Sequence, residues 1–267
     1  MPGGASLAGP TILMTTTTTF SFTHRPLVPF SHDYAHGDSE PWHEHDCAQL
    51  LHSLTGVVRV DTASGCWVVP PGRGVWLPAG TQHSLRITGN VAARTLFIDP
   101  LARADLPATC QIVQISPLLR ELILTSLTLP ESYSPGSRDE RVYELILDEI
   151  RIMPVLPFHL PEPESEALRQ LCRQIRQLPG ESWSGQQSAS LLGMSERTLN
   201  RHFQQQTGLS YGEWVRRARL LEALVRLAQG QPVLRVALDL GYGSHSAFTA
   251  MFRRAMGISP SDYFKND

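Results

Sequence analysis

Three histidines and a glutamine are spaced for metal chemistry. His43 and His45 lie two residues apart, so on a strand both side chains leave the same face. Gln49 follows four residues after His45, and His83 stands on a later segment. Neutral imidazoles are good ligands for divalent transition metals. The set predicts either one bound divalent transition metal or an organic effector held by the same residues as scaffold. Cys47 is not counted as a ligand. His24, His32, His36, His52 and His159 match no ligand spacing and read as surface or packing residues. Trp42, Trp67 and Trp76 are expected to fill a core rather than line a pocket.

A second set could read nucleic acid. Ala189 and Gly193 recur as Ala237 and Gly241, and Leu199, Phe203, Gly208 and Ser210 recur as Phe248, Phe252, Gly257 and Ser259. Each copy has a small residue where two helices cross, a glycine four residues on for a turn of positive φ, and an apolar pair four apart to anchor the second helix. The polar face of the first copy offers Glu196, Arg197, Asn200 and Arg201. Arginine pairs bidentately with guanine and asparagine with adenine. The second copy offers His245, Ser246 and Thr249, with Arg253 and Arg254 further on, a set better suited to phosphates. Arg216 and Arg217 are further phosphate candidates. Residues 211–229 read as one long helix joining the two copies, with Trp214 in its buried stripe. At about 1.5 Å per residue it spans roughly 30 Å, near the spacing of successive major grooves. The plainer alternative is a helical bundle with a solvated polar face.

These residues need elements to hold them. Residues 42–100 read as short strands: VVRVDT, CWVVP, GVWLP and SLRIT alternate or cluster β-branched and aromatic residues between Gly- and Pro-containing turns. Ser116-Pro117 predicts a helix start, and a second helix is expected over about 138–152. Its stripe Val142, Leu145, Ile146 and Ile150 either packs on the β-domain or pairs with a second chain. Pro154, Pro157, Pro161 and Pro163 predict an extended linker. Ser184 with Gln187 and Ser210 with Glu213 have capping-box spacing. Residues 1–24 show no periodicity and predict disorder, with Met14 as an alternative start.

The division is therefore 25–153, a β-domain with two following helices; 154–164, a linker; and 165–267, an all-α domain. The fold class is α+β in two domains. Of the 267 residues, 42% are hydrophobic and 18% charged, which suits a globular chain with a real core. Residues 1–164 carry 10 basic and 17 acidic residues, a balance of −7, whereas residues 165–267 carry 13 and 8, a balance of +5. The basic part suits a polyanion partner. No run of about 18 apolar residues predicts a membrane span. The start lacks the pattern of a secretory signal, and the four cysteines have no C-x-x-C spacing, so a reducing cytoplasm is expected.

Residues of about 168–264 resemble the DNA-binding domain of AraC/XylS-type transcription regulators. The stretches GMSERTLNRHFQQQTGLSYGEWVRRARLLEAL and VALDLGYGSHSAFTAMFRRAMGISPSDY carry the resemblance. It implies base contacts from Glu196, Arg197, Asn200 and Arg201, and from His245, Ser246, Thr249 and Ala250. Ala250 stands where an arginine is frequent. Gly37, His43, His45, Gln49 and Gly56, then Gly72, Pro78, Gly80 and His83, resemble the two cupin motifs. That resemblance implies a β-barrel sensor with His43, His45, Gln49 and His83 as ligands. Gln49 replaces the usual glutamate, and the second motif lacks its final asparagine. Together they imply a ligand-responsive regulator that binds promoter DNA, works as a homodimer and meets RNA polymerase where it activates. The alternatives are a cupin-type metal-dependent enzyme carrying a DNA-binding domain and a constitutive DNA-binding protein whose barrel only dimerises.

Overall fold

The computed structural model describes residues 20–263. A run of strands comes first: β1 (Leu27–Tyr34), β2 (Ser39–His43), β3 (Ala48–Ser53), β4 (Val57–Thr62), β5 (Gly65–Val69), β6 (Arg73–Leu77), β7 (His83–Thr88), β8 (Val91–Ile98) and β9 (Gln111–Gln114). Helices α1 (Pro117–Ser126) and α2 (Arg138–Arg151) follow, then the short strands β10 (Val155–Leu156) and β11 (His159–Pro161). The rest is helical: α3 (Glu166–Gln177), α4 (Gly185–Leu191), α5 (Glu196–Thr207), α6 (Tyr211–Ala228), α7 (Val233–Asp239), α8 (His245–Met256) and α9 (Pro260–Tyr263).

The strands form two antiparallel sheets, in the orders β1-β8-β3-β6-β9-β10 and β11-β5-β4-β7-β2. Inward residues such as Val58, Val60, Leu85 and Val75 are buried, as the period-2 pattern requires. The four quoted runs become β4 to β7. Strands β1 and β9 lie outside the stretch read as β.

The cap expected at Ser116 starts α1, and an equivalent one that the sequence reading did not name starts α2. Ser116 Oγ accepts from Leu119 N–H at the start of α1, and Ser137 does the same for Glu140 in α2. Val142, Ile146 and Ile150 are buried in a core shared with Leu27, Leu96 and Val113 of the six-stranded sheet. Of the two readings of this stripe, packing on the β-domain holds, while Leu145 is left partly exposed.

The proline-rich segment is extended, but it is not a bare linker. Leu156 pairs with Ile112, and Leu160 pairs with Cys66, so each short piece is the outer strand of one sheet. Edge positions tolerate proline because one side of the strand needs no N–H donor. The expected disorder of residues 1–24 concerns mostly residues 1–19, which lie outside the described residues. It does not extend to Phe20, whose ring stacks on Phe97 at 3.9 Å between centroids.

The helical part repeats its turn as the sequence does. Met194 N–H donates to Ala189 O and Tyr242 N–H to Ala237 O, both at 3.0 Å. Gly193 and Gly241 sit at φ +64° and +77°. Leu199, Phe203, Phe248 and Phe252 are wholly buried. A capping box at Ser210 and Glu213 starts α6. The 18 residues of α6 run about 27 Å at about 1.5 Å per residue.

Candidate metal centre and nucleic-acid interface

Strand β2 is the edge of its sheet, and Pro41 within it cannot donate to a ladder. The pairing with β7 accordingly slips between Glu40 and His43, a β-bulge. Beyond the bulge His43 pairs directly with His83. His45 lies just past β2, in the turn to β3, so strand alternation alone does not align it with His43. The turn nevertheless brings it back to the same spot. One nitrogen from each of His43, His45 and His83 lies within 4.8 Å of the others, and all three side chains are buried.

Hydrogen bonds decide which nitrogens are free. His43 Nδ1 bonds Pro41 O and His83 Nδ1 bonds Thr81 O, each at 2.8 Å. A carbonyl oxygen only accepts, so both Nδ1 atoms carry protons and both Nε2 atoms present lone pairs in the neutral ring. His83 Nε2, both nitrogens of His45 and Oε1 of Gln49 are buried without a partner among the described residues. Burial pushes the His45 and His83 imidazoles down to about 4, and neighbouring histidines push the same way. They are neutral at pH 7, the state a metal requires. The donor set therefore fits a divalent transition metal.

Cys47 is buried outside this cluster, and burial raises its thiol to about 12. Trp67 and Trp76 are core residues. Trp42 is not: the bulge throws it outward and it is 55% exposed. Sequence reasoning missed Glu40 and Tyr34. Glu40 Oε2 lies 3.5 Å from His43 Nε2, and Tyr34 Oη donates a short hydrogen bond to Oε1 of the same carboxylate. Burial and Glu40 together raise the Tyr34 phenol. A proline inside a strand beside a ligand was the signal available.

The expected DNA-reading residues sit on α5 and α8. Arg197 and Arg201 are exposed on α5, and His245, Ser246 and Arg253 are exposed on α8. Among the described residues neither Arg197, Arg201, Arg253 nor Arg254 forms a salt bridge. Other predicted readers are differently employed. Asn200 Oδ1 accepts Tyr211 N–H at 3.2 Å and its Nδ2 donates to Glu196 O at 3.1 Å. Its amide thus joins α5 to α6, and bidentate adenine reading would break both bonds. Glu196 lies against Gly185 at the start of α4. The Thr249 hydroxyl is buried, and Ala250 is exposed without a donor. Arg216 is exposed on α6, whereas Arg217 is half-buried and donates one of its N–H groups to His159 O at 3.2 Å.

Comparison with known proteins agrees with both halves. A profile described as an AraC-like ligand binding domain matches residues 28–197, and one described as a helix-turn-helix domain matches residues 188–266. The chain belongs to the AraC family of transcription regulators. It is 35% identical over 225 residues to the HTH-type transcriptional regulator NimR of Escherichia coli, a match covering 84% of this chain and 82% of that protein. It is 42% identical over 72 residues to the regulatory protein SoxS of Salmonella typhimurium, covering 27% of this chain and 67% of that one. Among solved structures, ToxT from Vibrio cholerae covers 90% of this chain and 98% of its own at 10% identity, with a TM-score of 0.37. For an AraC-type regulator, two turn-linked helix pairs and a ligand-binding β-domain are the expected parts, and this chain has them. No helix among the described residues is long and apolar enough to cross a membrane.

Proposed function

We propose that this AraC-family regulator binds operator DNA in response to a divalent transition metal held in its barrel by His43, His45 and His83 with Gln49. The observation that carries the reading is the convergence of three buried imidazoles, with His83 Nε2 and both nitrogens of His45 lacking partners among the described residues. When bound, the metal supplies a positive charge where the fold leaves buried lone pairs uncompensated. The backbone carbonyls of Pro41 and Thr81 hold two of the rings in the correct tautomer, as outer partners of metal ligands commonly do.

On the DNA side, Arg197 and Arg201 read bases from α5. His245 and Ser246 do so more weakly from α8, and Arg253 and Arg254 grip phosphates. The signal reaches these helices through β11. His159 stacks on Trp67 at 3.7 Å, while the backbone oxygens of His159 and Pro161 accept from Arg217 and Trp214 of α6. A change in the barrel that moves this strand changes the populations of arrangements able to bind the operator. A second copy on the operator, RNA polymerase as neighbour where the outcome is activation, and a cytoplasmic site of action complete the reading. The relatives named above are regulators, so turnover at the same histidines is not proposed.

The test is elemental analysis of protein purified without a histidine tag, paired with footprinting before and after chelation. Near-stoichiometric metal in the wild type, its loss in His83→Ala and a footprint altered by chelation are expected. A metal-free wild type with a footprint indifferent to added zinc, cobalt or nickel would overturn the metal reading. Independently, Arg201→Ala should weaken specific binding by about 1–3 kcal/mol at fixed salt. An unchanged operator affinity would remove Arg201 from the interface.

A further inference from the structure

Resting on the metal reading above, we propose that Glu40 is the anionic ligand of this site, in place of the negative charge that Gln49 does not supply, and that Tyr34 positions it. A chain with glutamine at the third cupin ligand position offers only neutral donors from that motif to a dication. The structure brings a carboxylate to the site from a position no motif marks.

Three observations support this. The first is parity. Glu40 and His43 are three apart, so on a regular strand they would face opposite ways. The bulge at Pro41 and Trp42 inserts the offset that turns both toward the same side. The second is spacing. Glu40 Oε2 and His43 Nε2 are 3.5 Å apart, long for a hydrogen bond. Ligand atoms sharing one ion at bonds of about 2.0–2.1 Å lie roughly 2.9–3.4 Å from each other, so the pair needs almost no movement to share a metal. The third is the surroundings. The Glu40 side chain is only 15% exposed, and no arginine or lysine pairs with it among the described residues. Its one short hydrogen bond comes from Tyr34, which fixes Oε1 and leaves Oε2 directed at His43. Apart from the His43 ring 3.5 Å away, this buried carboxylate has no cationic neighbour among the described residues, and the buried lone pairs of His45 and His83 have no partner. One divalent ion beside His43 meets both deficits once the Glu40 carboxylate, which lies outside the close three-histidine set, swings in onto it.

Glu40→Gln keeps the shape and the acceptor oxygen but removes the charge. Cobalt(II) and zinc(II) are titrated separately into full-length apo-protein against a chelator, with the cobalt d–d spectrum recorded. Wild-type protein should bind cobalt with a defined visible spectrum. Glu40→Gln should bind at least about 10-fold more weakly with shifted bands, and Tyr34→Phe should lose affinity by a smaller factor. The unfolding midpoint of metal-free Glu40→Gln should match the wild type or exceed it, because an uncompensated charge has been removed. Should that variant fail to fold, Glu40→Asp replaces it: the charge stays but the carboxylate is drawn back by one methylene, and reduced affinity with shifted bands is again expected. Wild-type affinity and an unchanged spectrum in the variant would overturn the role of Glu40 and leave the histidine site standing. Absence of cobalt and zinc binding by the wild type would overturn both.

Discussion

His52 is buried in β3 with Nδ1 donating to Arg73 O at 3.0 Å, and its Nε2 has no partner among the described residues. Burial pushes this imidazole down to about 4, and Arg120, Arg94 and Arg73 add to the effect. In the unfolded chain the ring takes a proton near pH 6.5; in the folded chain it resists until about pH 4. The unfolded state therefore binds the extra proton between those values, and stability falls as pH drops through that window. The stability at stake is on the order of 2–3 kcal/mol. Urea unfolding in the presence of a chelator should show this decline from pH 6.5 to 4.5, with a shallower slope in His52→Gln. Equal slopes in the two proteins would mean that His52 is not held neutral. Neither the ring's burial nor its lone carbonyl partner shows in the local sequence, where His52 looks like any histidine on a strand.

The two helix-turn-helix glycines separate two costs that the repeat makes look identical. Both have positive φ, but an added Cβ at Gly193 would meet nothing within 4 Å, whereas at Gly241 it would lie 2.6 Å from Gly180 O. Gly193→Ala should therefore cost only the backbone term of about 1–2 kcal/mol. Gly241→Ala should add a clash with fixed backbone, a further 1–3 kcal/mol or so. Thermal unfolding of the two variants measures the difference, and equal losses would show that the Gly180 loop yields freely. The repeat itself was legible because a turn of positive φ and two apolar anchors leave a pattern at fixed spacing. The roles of Asn200 and Thr249 were not, because the same polar face of a helix can be turned to DNA or spent on a neighbouring helix.

A single continuous core runs from Val58, Val60 and Val68 of the five-stranded sheet to Leu221, Leu224 and Phe203 of the helical part. Trp214 Nε1 donates to Pro161 O at 2.8 Å across that junction, and Tyr263 Oη donates to Pro71 O at 3.3 Å. Calorimetry of the full chain should accordingly show one cooperative transition. Trp214→Phe keeps the apolar bulk but strips Pro161 O of its donor, and should lower stability by about 1–3 kcal/mol. Two resolved transitions in the wild type would contradict a shared core. The prolines between 154 and 163 predict a linker between two domains, and the charge balance changes sign at the same place. Charge describes surfaces, and it carries no information about apolar faces that meet beneath them.

The sequence by itself determined the AraC-type helical repeat, the strand-rich half and the three histidines that converge in the β-domain. Each is written in local periodicity or in motif spacing, and such signals survive without tertiary context. Only the tertiary structure decided that Glu40 lies beside His43, that Asn200 and Arg217 make hydrogen bonds within the protein, and that the proline-rich segment supplies an outer strand to each sheet. These depend on a bulge, a helix crossing and an edge pairing, each of which joins residues through space in ways that no spacing along the chain encodes.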